Sequence, residues 1–193
     1  YWGNPVFHWE RLKETGYDWW LKRIENALRI YDVLRIDHFR GFESYWEIPY
    51  GAPTAASGSW VKGPGMDFIR TVNDAFGGDK IVAEDLGTLT EDCRAFLRES
   101  GYPGMKVLEF AFDSDESNLY LPHNYEKNSI VYTGTHDNDT IIGWWNGADP
   151  AVRKKAWEYF GLCREKGINR GFIKGAWSSV SKIAIAPMQD LLG

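Results

Sequence analysis

Cysteine is scarce and no stretch concentrates charge of one sign. The two cysteines, Cys93 and Cys163, lie far apart and form no Cys-x-x-Cys spacing, which favours a pair of reduced thiols of a cytoplasmic type over a disulfide framework. No apolar run approaches the length of a membrane span, and no signal-peptide pattern is visible, so no membrane partner is expected. The basic residues are scattered and the formal net charge is −5, a poor match for nucleic acid or an anionic surface. Internal repeats at solenoid period and low-complexity segments are also missing. What is abundant is aromatic: ten Trp, ten Tyr and ten Phe in 193 residues. Aromatics serve cores and interfaces in general, and their number here also suits a cleft that stacks the flat apolar faces of sugar rings.

A chain of 193 residues can bury a sizeable single core. It starts at Tyr1 rather than Met and stops at Gly193 just after an apolar, strand-like run, so residues 1–193 read as one piece cut at both ends. Apolar positions at near-helical spacing predict a helix over 17–31, and an apolar run predicts a strand over 31–39. Residues 47–66, with Gly51, Gly58, Gly63 and Gly65 among Pro49, Pro53 and Pro64, read as a long irregular loop; such loops inside compact domains are usually functional or disordered, and Trp46, Tyr50 and Trp60 favour an ordered one. A helix over 67–76 closes at Gly77-Gly78, a strand covers 81–83, and Thr90 opens a helix to about Ser100. Strands follow at 105–112 and 130–135, then a helix opened by Asp149-Pro150, a helix over 170–180 and a strand over 182–186. Strands alternating with helices imply parallel pairing through crossovers. The expected fold is therefore α/β: the C-terminal portion of a (β/α)8 barrel, incomplete, with about five parallel strands.

The organising stretch is Val33-Leu34-Arg35-Ile36-Asp37-His38-Phe39-Arg40-Gly41-Phe42. An apolar strand here runs into Arg35, Asp37, His38 and Arg40, and charges are costly to bury unless paired, so the strand reads as delivering a polar cluster to a cleft, with Asp37 as a nucleophile. Glu84 and Asp137 end two further predicted strands. In a barrel such ends share one mouth, and glycosidic cleavage needs such a set: one carboxylate to attack or stabilise the anomeric carbon and one protonated carboxyl to donate to the leaving oxygen. The apolar strand before Glu84 suits the burial that keeps an acid protonated. Arg35 shares the strand face of Asp37 and can hold it ionised. Any one Asp at a strand end is more often a turn residue or a cap, and His38 or His136 alone is more often structural. The coincidence of three strand ends, one carboxylate each and two with an adjacent His, raises the catalytic reading. No ligand spacing supports a metal, and Trp144-Trp145 reads as core or interface rather than sugar platform.

Three segments then carry a resemblance. Arg35-Ile36-Asp37-His38-Phe39-Arg40-Gly41-Phe42, Ala83-Glu84-Asp85-Leu86-Gly87 and Thr133-Gly134-Thr135-His136-Asp137-Asn138-Asp139-Thr140 closely resemble the signature segments of the 4-alpha-glucanotransferases (amylomaltases or disproportionating enzymes, glycoside hydrolase family 77, alpha-amylase clan). Trp2-Gly3-Asn4-Pro5, Pro103-Gly104-Met105-Lys106-Val107-Leu108, Leu121-Pro122-His123-Asn124-Tyr125 and Gln189-Asp190 are similar to other family segments. The resemblance implies Asp37 as nucleophile, Glu84 as general acid/base and Asp137 as transition-state stabiliser, with Arg35, His38 and His136 around the reacting sugar and Trp2, Phe110 and Asp113 as further substrate contacts. It implies alpha-1,4-glucans and maltooligosaccharides as partners, no cofactor, no catalytic metal, and a location in the cytoplasm or, in a plant or alga, the plastid. It also implies that the remainder of the parent barrel, including another substrate-binding Asp, lies outside this chain. A hydrolysing alpha-amylase-type enzyme and a non-catalytic glucan-binding fragment are the alternatives.

Overall fold

The computed structural model describes residues 3–87 and 89–193. The described residues form two compact units, one running to Pro103 and one over Gly104–Gly193.

In the first unit, helix α1 (Trp9–Glu14) is opened by His8, whose Nδ1 accepts from the Arg11 amide at 3.3 Å. Helix α2 (Asp18–Leu28) follows Tyr17, which enters it in the left-handed region at φ 57°. Strand β1 (Leu34–Ile36) leads through a short 3-10 turn to β2 (Ser44–Glu47) and β3 (Ser59–Lys62), and then to helix α3 (Gly65–Phe76), strand β4 (Ile81–Ala83) and helix α4 (Glu91–Ser100). The α4 start is a side-chain cap: Thr90 Oγ1 accepts from the Cys93 amide at 3.3 Å, one of the orphan donors of a helix N-terminus. Strands β1 and β4 pair in parallel with Leu34 opposite Ile81, Arg35 opposite Val82 and Ile36 opposite Ala83. All three β4 residues are buried, as expected of a parallel strand covered on both faces. The core is aromatic: Phe68 is fully enclosed and meets the rings of Phe42 at 4.8 Å and Tyr17 at 5.2 Å. Two polar tips within it are satisfied, Tyr17 OH donating to Asp67 and Tyr102 OH to Asn73, each at 2.7 Å.

The second unit holds strand β5 (Gly104–Val107), strand β6 (Ser129–Tyr132), helices α5 (Ile141–Gly147), α6 (Pro150–Phe160) and α7 (Ile168–Trp177), strand β7 (Ile183–Ile185) and helix α8 (Met188–Leu192). The three strands form one parallel sheet in the order β5-β6-β7. Asp149 caps α6 through the Ala151 amide at 2.8 Å, with Pro150 in the first turn, where its missing N–H costs nothing. Leu108, Phe112, Val131, Ile141, Ala156 and Phe172 form the core, and Trp144 and Trp145 pack against it; this is the core role the sequence predicts for that pair.

The α/β class and parallel pairing match expectation, while several boundaries do not. Residues 47–66 are not an irregular loop throughout: β2 and β3 make an antiparallel hairpin in which Trp46 faces Trp60, ring centroids 5.4 Å apart. Cross-strand aromatic pairing outweighs the Gly and Pro content, and two of the glycines serve close approach: a Cβ on Gly58 would collide with the Trp46 ring and one on Gly63 with the Phe42 carbonyl. The strand expected over 105–112 ends at Val107 and tightens into a 3-10 turn over Leu108–Phe110. Helices α1, α5 and α8 are additional. Cys93 and Cys163 are free thiols. No helix among the described residues is long and apolar enough to cross a membrane.

Phe68→Ala would leave a cavity among rings that cannot collapse into it. The expected loss is about 3–5 kcal/mol of unfolding free energy, read from the urea midpoint at unchanged m-value.

Candidate active site

The first-unit site is built by register. Because Ile36 stands opposite Ala83, the next residues of the two strands, Asp37 and Glu84, leave adjoining strand ends together. The ladder continues past both ends: the Glu84 amide donates to the Ile36 carbonyl at 2.9 Å, and the Phe39 amide donates to the Glu84 carbonyl at 3.0 Å. His38 turns the chain here in the left-handed region, φ 48° and ψ 50°, a conformation uncommon outside glycine. That turn aims its amide at the Glu84 side chain, where it donates to Oε2 at 2.7 Å. The Leu86 amide donates to Oε1 at 2.6 Å, so two backbone donors fix the Glu84 carboxylate. The His38 ring lies against Gly41, where a Cβ would come within 3.1 Å of it.

Arg35 Nη2 donates to Asp37 Oδ1 at 2.9 Å. The guanidinium is mostly enclosed while the Asp37 side chain is 75% exposed, so the cation is held by the fold and the carboxylate is presented to solvent. Helix α2 and strand β1 wall a cavity of about 710 Å³ whose lining includes Trp19, Trp20, Arg35 and Asp37. Beside this site Arg40 lies over the Trp60 ring at 4.5 Å, a cation–π contact that ties the hairpin to the turn after β1. Trp2 lies outside the described residues.

In the second unit Asp137 and His136 follow β6, exposed, with Nε2 and Oδ2 3.3 Å apart. Their loop is organised by Asn138, whose Oδ1 accepts from the Thr135 amide at 2.9 Å and from Thr135 Oγ1 at 2.7 Å. Thr135 Oγ1 in turn accepts from the Asp137 amide at 3.3 Å. Phe110 ends the 3-10 turn after β5, half-buried with its ring edge-on to Tyr120 at 5.4 Å. Asp113 is exposed, and Asn118 bridges the two, donating through Nδ2 to the Phe110 carbonyl at 2.9 Å and to Asp113 Oδ1 at 3.0 Å. The structure thus groups Asp37, Glu84, Arg35 and His38 in one unit, and Asp137, His136, Phe110 and Asp113 in the other.

Two buried carboxyls of the second unit stand out beyond the expected set. Asp190, in α8, is 2% exposed; it accepts from Thr133 Oγ1 at 2.5 Å and from the Ile141 amide at 2.8 Å. Those partners bracket the Asp137 loop. Glu109, in the turn after β5, is 7% exposed, and its Oε1 has no hydrogen-bond partner among the described residues. Burial, with Asp190 and Asp139 as like charges, pushes its carboxyl up to about 8. A single Glu inside the apolar run Val107-Leu108-Glu109-Phe110-Ala111-Phe112 was the available signal, since a charged residue in such a run must be enclosed with it. No three His, Cys, Asp or Glu side chains among the described residues are placed to share a metal ion.

Parallel strands ending in acidic residues, with an arginine holding one of them, define an α/β protein of the kind that acts at strand ends. Comparison narrows the class. The family model for 4-alpha-glucanotransferases, glycoside hydrolase family 77, matches residues 1–193, and the chain belongs to that family. It is 52% identical over 192 residues to a 4-alpha-glucanotransferase of Clostridium butyricum, covering 99% of this chain and 39% of that one. A Synechocystis 4-alpha-glucanotransferase is 50% identical, with 100% and 38% covered. An amylomaltase from Streptococcus agalactiae, solved in complex with acarbose, superposes with a TM-score of 0.93 at 40% identity over 99% of this chain and 39% of that one. The chain thus spans about two fifths of the length of the relatives it matches.

The Glu109 carboxyl makes stability depend on pH in a defined direction. The folded chain holds a proton up to about pH 8, whereas the ordinary value is 4.5, so between those values the unfolded state binds fewer protons and stability falls as pH rises. Relative to Glu109→Gln, the wild-type protein is expected to lose a few kcal/mol across this window and to run parallel outside it, as measured by urea unfolding at stepped pH.

Proposed function

We propose that this chain is the later part of the catalytic (β/α)8 barrel of a 4-alpha-glucanotransferase, and that the full-length protein moves alpha-1,4-glucan segments between oligosaccharides by retaining double displacement. Residues 1–193 then form a single piece of that barrel. The sheet edges favour completion by strands outside this chain. Among the described residues β1 has one strand neighbour, β4, and β7 has one, β6, and Val33, Ile183 and Ile185 are exposed apolar residues beside those edges.

The observation that carries the reading is the register of β1 on β4, which puts Asp37 and Glu84 on neighbouring strand ends and bonds the Glu84 carboxylate to the amide that follows Asp37. Asp37, steadied by Arg35, attacks the anomeric carbon. As the bond to the leaving glucan breaks, Glu84 gives its proton to the departing oxygen, and a covalent glycosyl-enzyme remains. Glu84 then takes the proton from the 4-hydroxyl of an acceptor sugar, whose oxygen displaces Asp37 and restores the starting configuration. Asp137 stabilises the positive charge that develops on the reacting sugar. His38 and His136 flank that ring, and Trp2, Phe110 and Asp113 extend the glucan contacts. Transfer requires the acceptor to outcompete water, so the site must exclude solvent; the aromatic lining and the β2–β3 hairpin are suited to that task. Acarbose, a saccharide mimic bound by the Streptococcus agalactiae relative, is consistent with an oligosaccharide ligand here.

Full-length protein incubated with maltotriose should yield glucose together with longer oligomers while the number of reducing ends stays constant. A net rise in reducing ends would mean hydrolysis, and binding without bond cleavage would mean a non-catalytic module. Asp37→Asn should lower turnover by about 10⁴-fold, and undiminished activity would remove Asp37 as the nucleophile.

A further inference from the structure

The least explained group in the second unit is Glu109. The residue is 7% exposed, and its buried Oε1 has no hydrogen-bond partner among the described residues. Oε1 is pressed against the start of the Asp137 loop, so that a Cβ added to Gly134 would lie 2.7 Å from it. Two charged groups act on Glu109, Asp190 from α8 and Asp139 from the β6–α5 loop, and both are acidic. Asp190 is itself committed, through Thr133 Oγ1 and the Ile141 amide, to the two ends of the segment that carries His136 and Asp137.

We propose that Glu109 is a positioning residue for the Asp137 loop: its buried side chain, packed against Gly134, sets the path of residues 133–140 while it carries its proton, and ionisation loosens that path. The proton is the means of control. Protonated, the carboxyl is neutral and can lie beside Asp190 and Asp139 without repulsion. Ionised, it adds a negative charge within the field of Asp190 and Asp139, with a buried oxygen that no donor among the described residues satisfies, and such a group is expensive to keep buried. Relief requires Glu109 to move away from Gly134 or Gly134 to move away from it, and Gly134 lies three residues before Asp137. Gly134 contributes by having no side chain, because any Cβ would crowd the carboxyl oxygen at 2.7 Å.

The inference rests on the proposed transfer reaction for its activity readout, so the test has two arms. In the full-length protein, the maltotriose transfer rate of the wild type should fall as pH rises through about 8. Glu109→Gln, neutral at every pH and nearly the same shape, should keep kcat within about twofold of wild type below that point and lose that fall, whereas Glu109→Ala should lower kcat about tenfold at all pH with KM less affected. The second arm needs no turnover. The His136 ring and Asp137 amide NMR signals should shift through the same midpoint as the Glu109 side-chain carboxyl carbon, and the shift should vanish in Glu109→Gln. A Glu109→Gln profile with the wild-type alkaline fall, or loop signals indifferent to Glu109, would overturn the positioning role while leaving transfer intact. Coupled NMR shifts in a protein that transfers no glucan would instead overturn the activity alone.

Discussion

The first unit depends on an in-register parallel pair of strands only three residues long. With Ile36 opposite Ala83, side chains that are buried end together and side chains that are polar begin together. A slip of one residue would turn every side chain to the other face and separate Asp37 from Glu84. The strands are too short for their own ladder to be the whole anchorage. The fixing comes from the aromatic core around Phe39, Phe42 and Phe68 and from the two hydrogen bonds that carry the ladder beyond the strand ends. Rigid elements therefore hold the backbone at the point where the chemistry-bearing side chains leave it, the condition for positioning a reacting group closely.

Charge is arranged around that point with economy. Arg35 is partly enclosed and Asp37 exposed, so the fold holds the cation in place while the anion keeps its access to solvent and ligand. Glu84 is fixed by two backbone amides, those of His38 and Leu86. The second unit works by opposite means. There, burial first and the like charges of Asp190 and Asp139 second hold the Glu109 carboxyl toward its neutral form.

Much of this was legible in the sequence, for identifiable reasons. Short apolar runs such as Ile81-Val82-Ala83, bounded by turn signals, fit strands buried on both faces, and Thr90 and Asp149-Pro150 are caps with few alternative uses. Carboxylates at the ends of such runs are visible without any coordinates. The hairpin over β2 and β3 was hidden because its stability comes from a non-local pairing, Trp46 on Trp60, that no local window contains, while its glycines and prolines suggest a loop. Asp190 is legible as part of a segment similar to the family, without a role. Its enclosure depends on Thr133 and the Ile141 amide, both about fifty positions earlier in the chain. Glu109 sat in plain view within an apolar run, but what surrounds it is set by Gly134 and α8, which only the folded chain brings near.

The bond from His38 to Glu84 has an evolutionary side. Its donor is a main-chain amide, so no exchange of the imidazole for another side chain can delete it; only proline, which lacks the N–H, could do so. The tie between the two strand ends is thus shielded from most single-codon changes at position 38, and the pressure there falls on conformation instead. Residues that tolerate a left-handed backbone, such as glycine or asparagine, would preserve the link even while discarding the imidazole, so the scaffold and the side-chain chemistry at this position can drift independently.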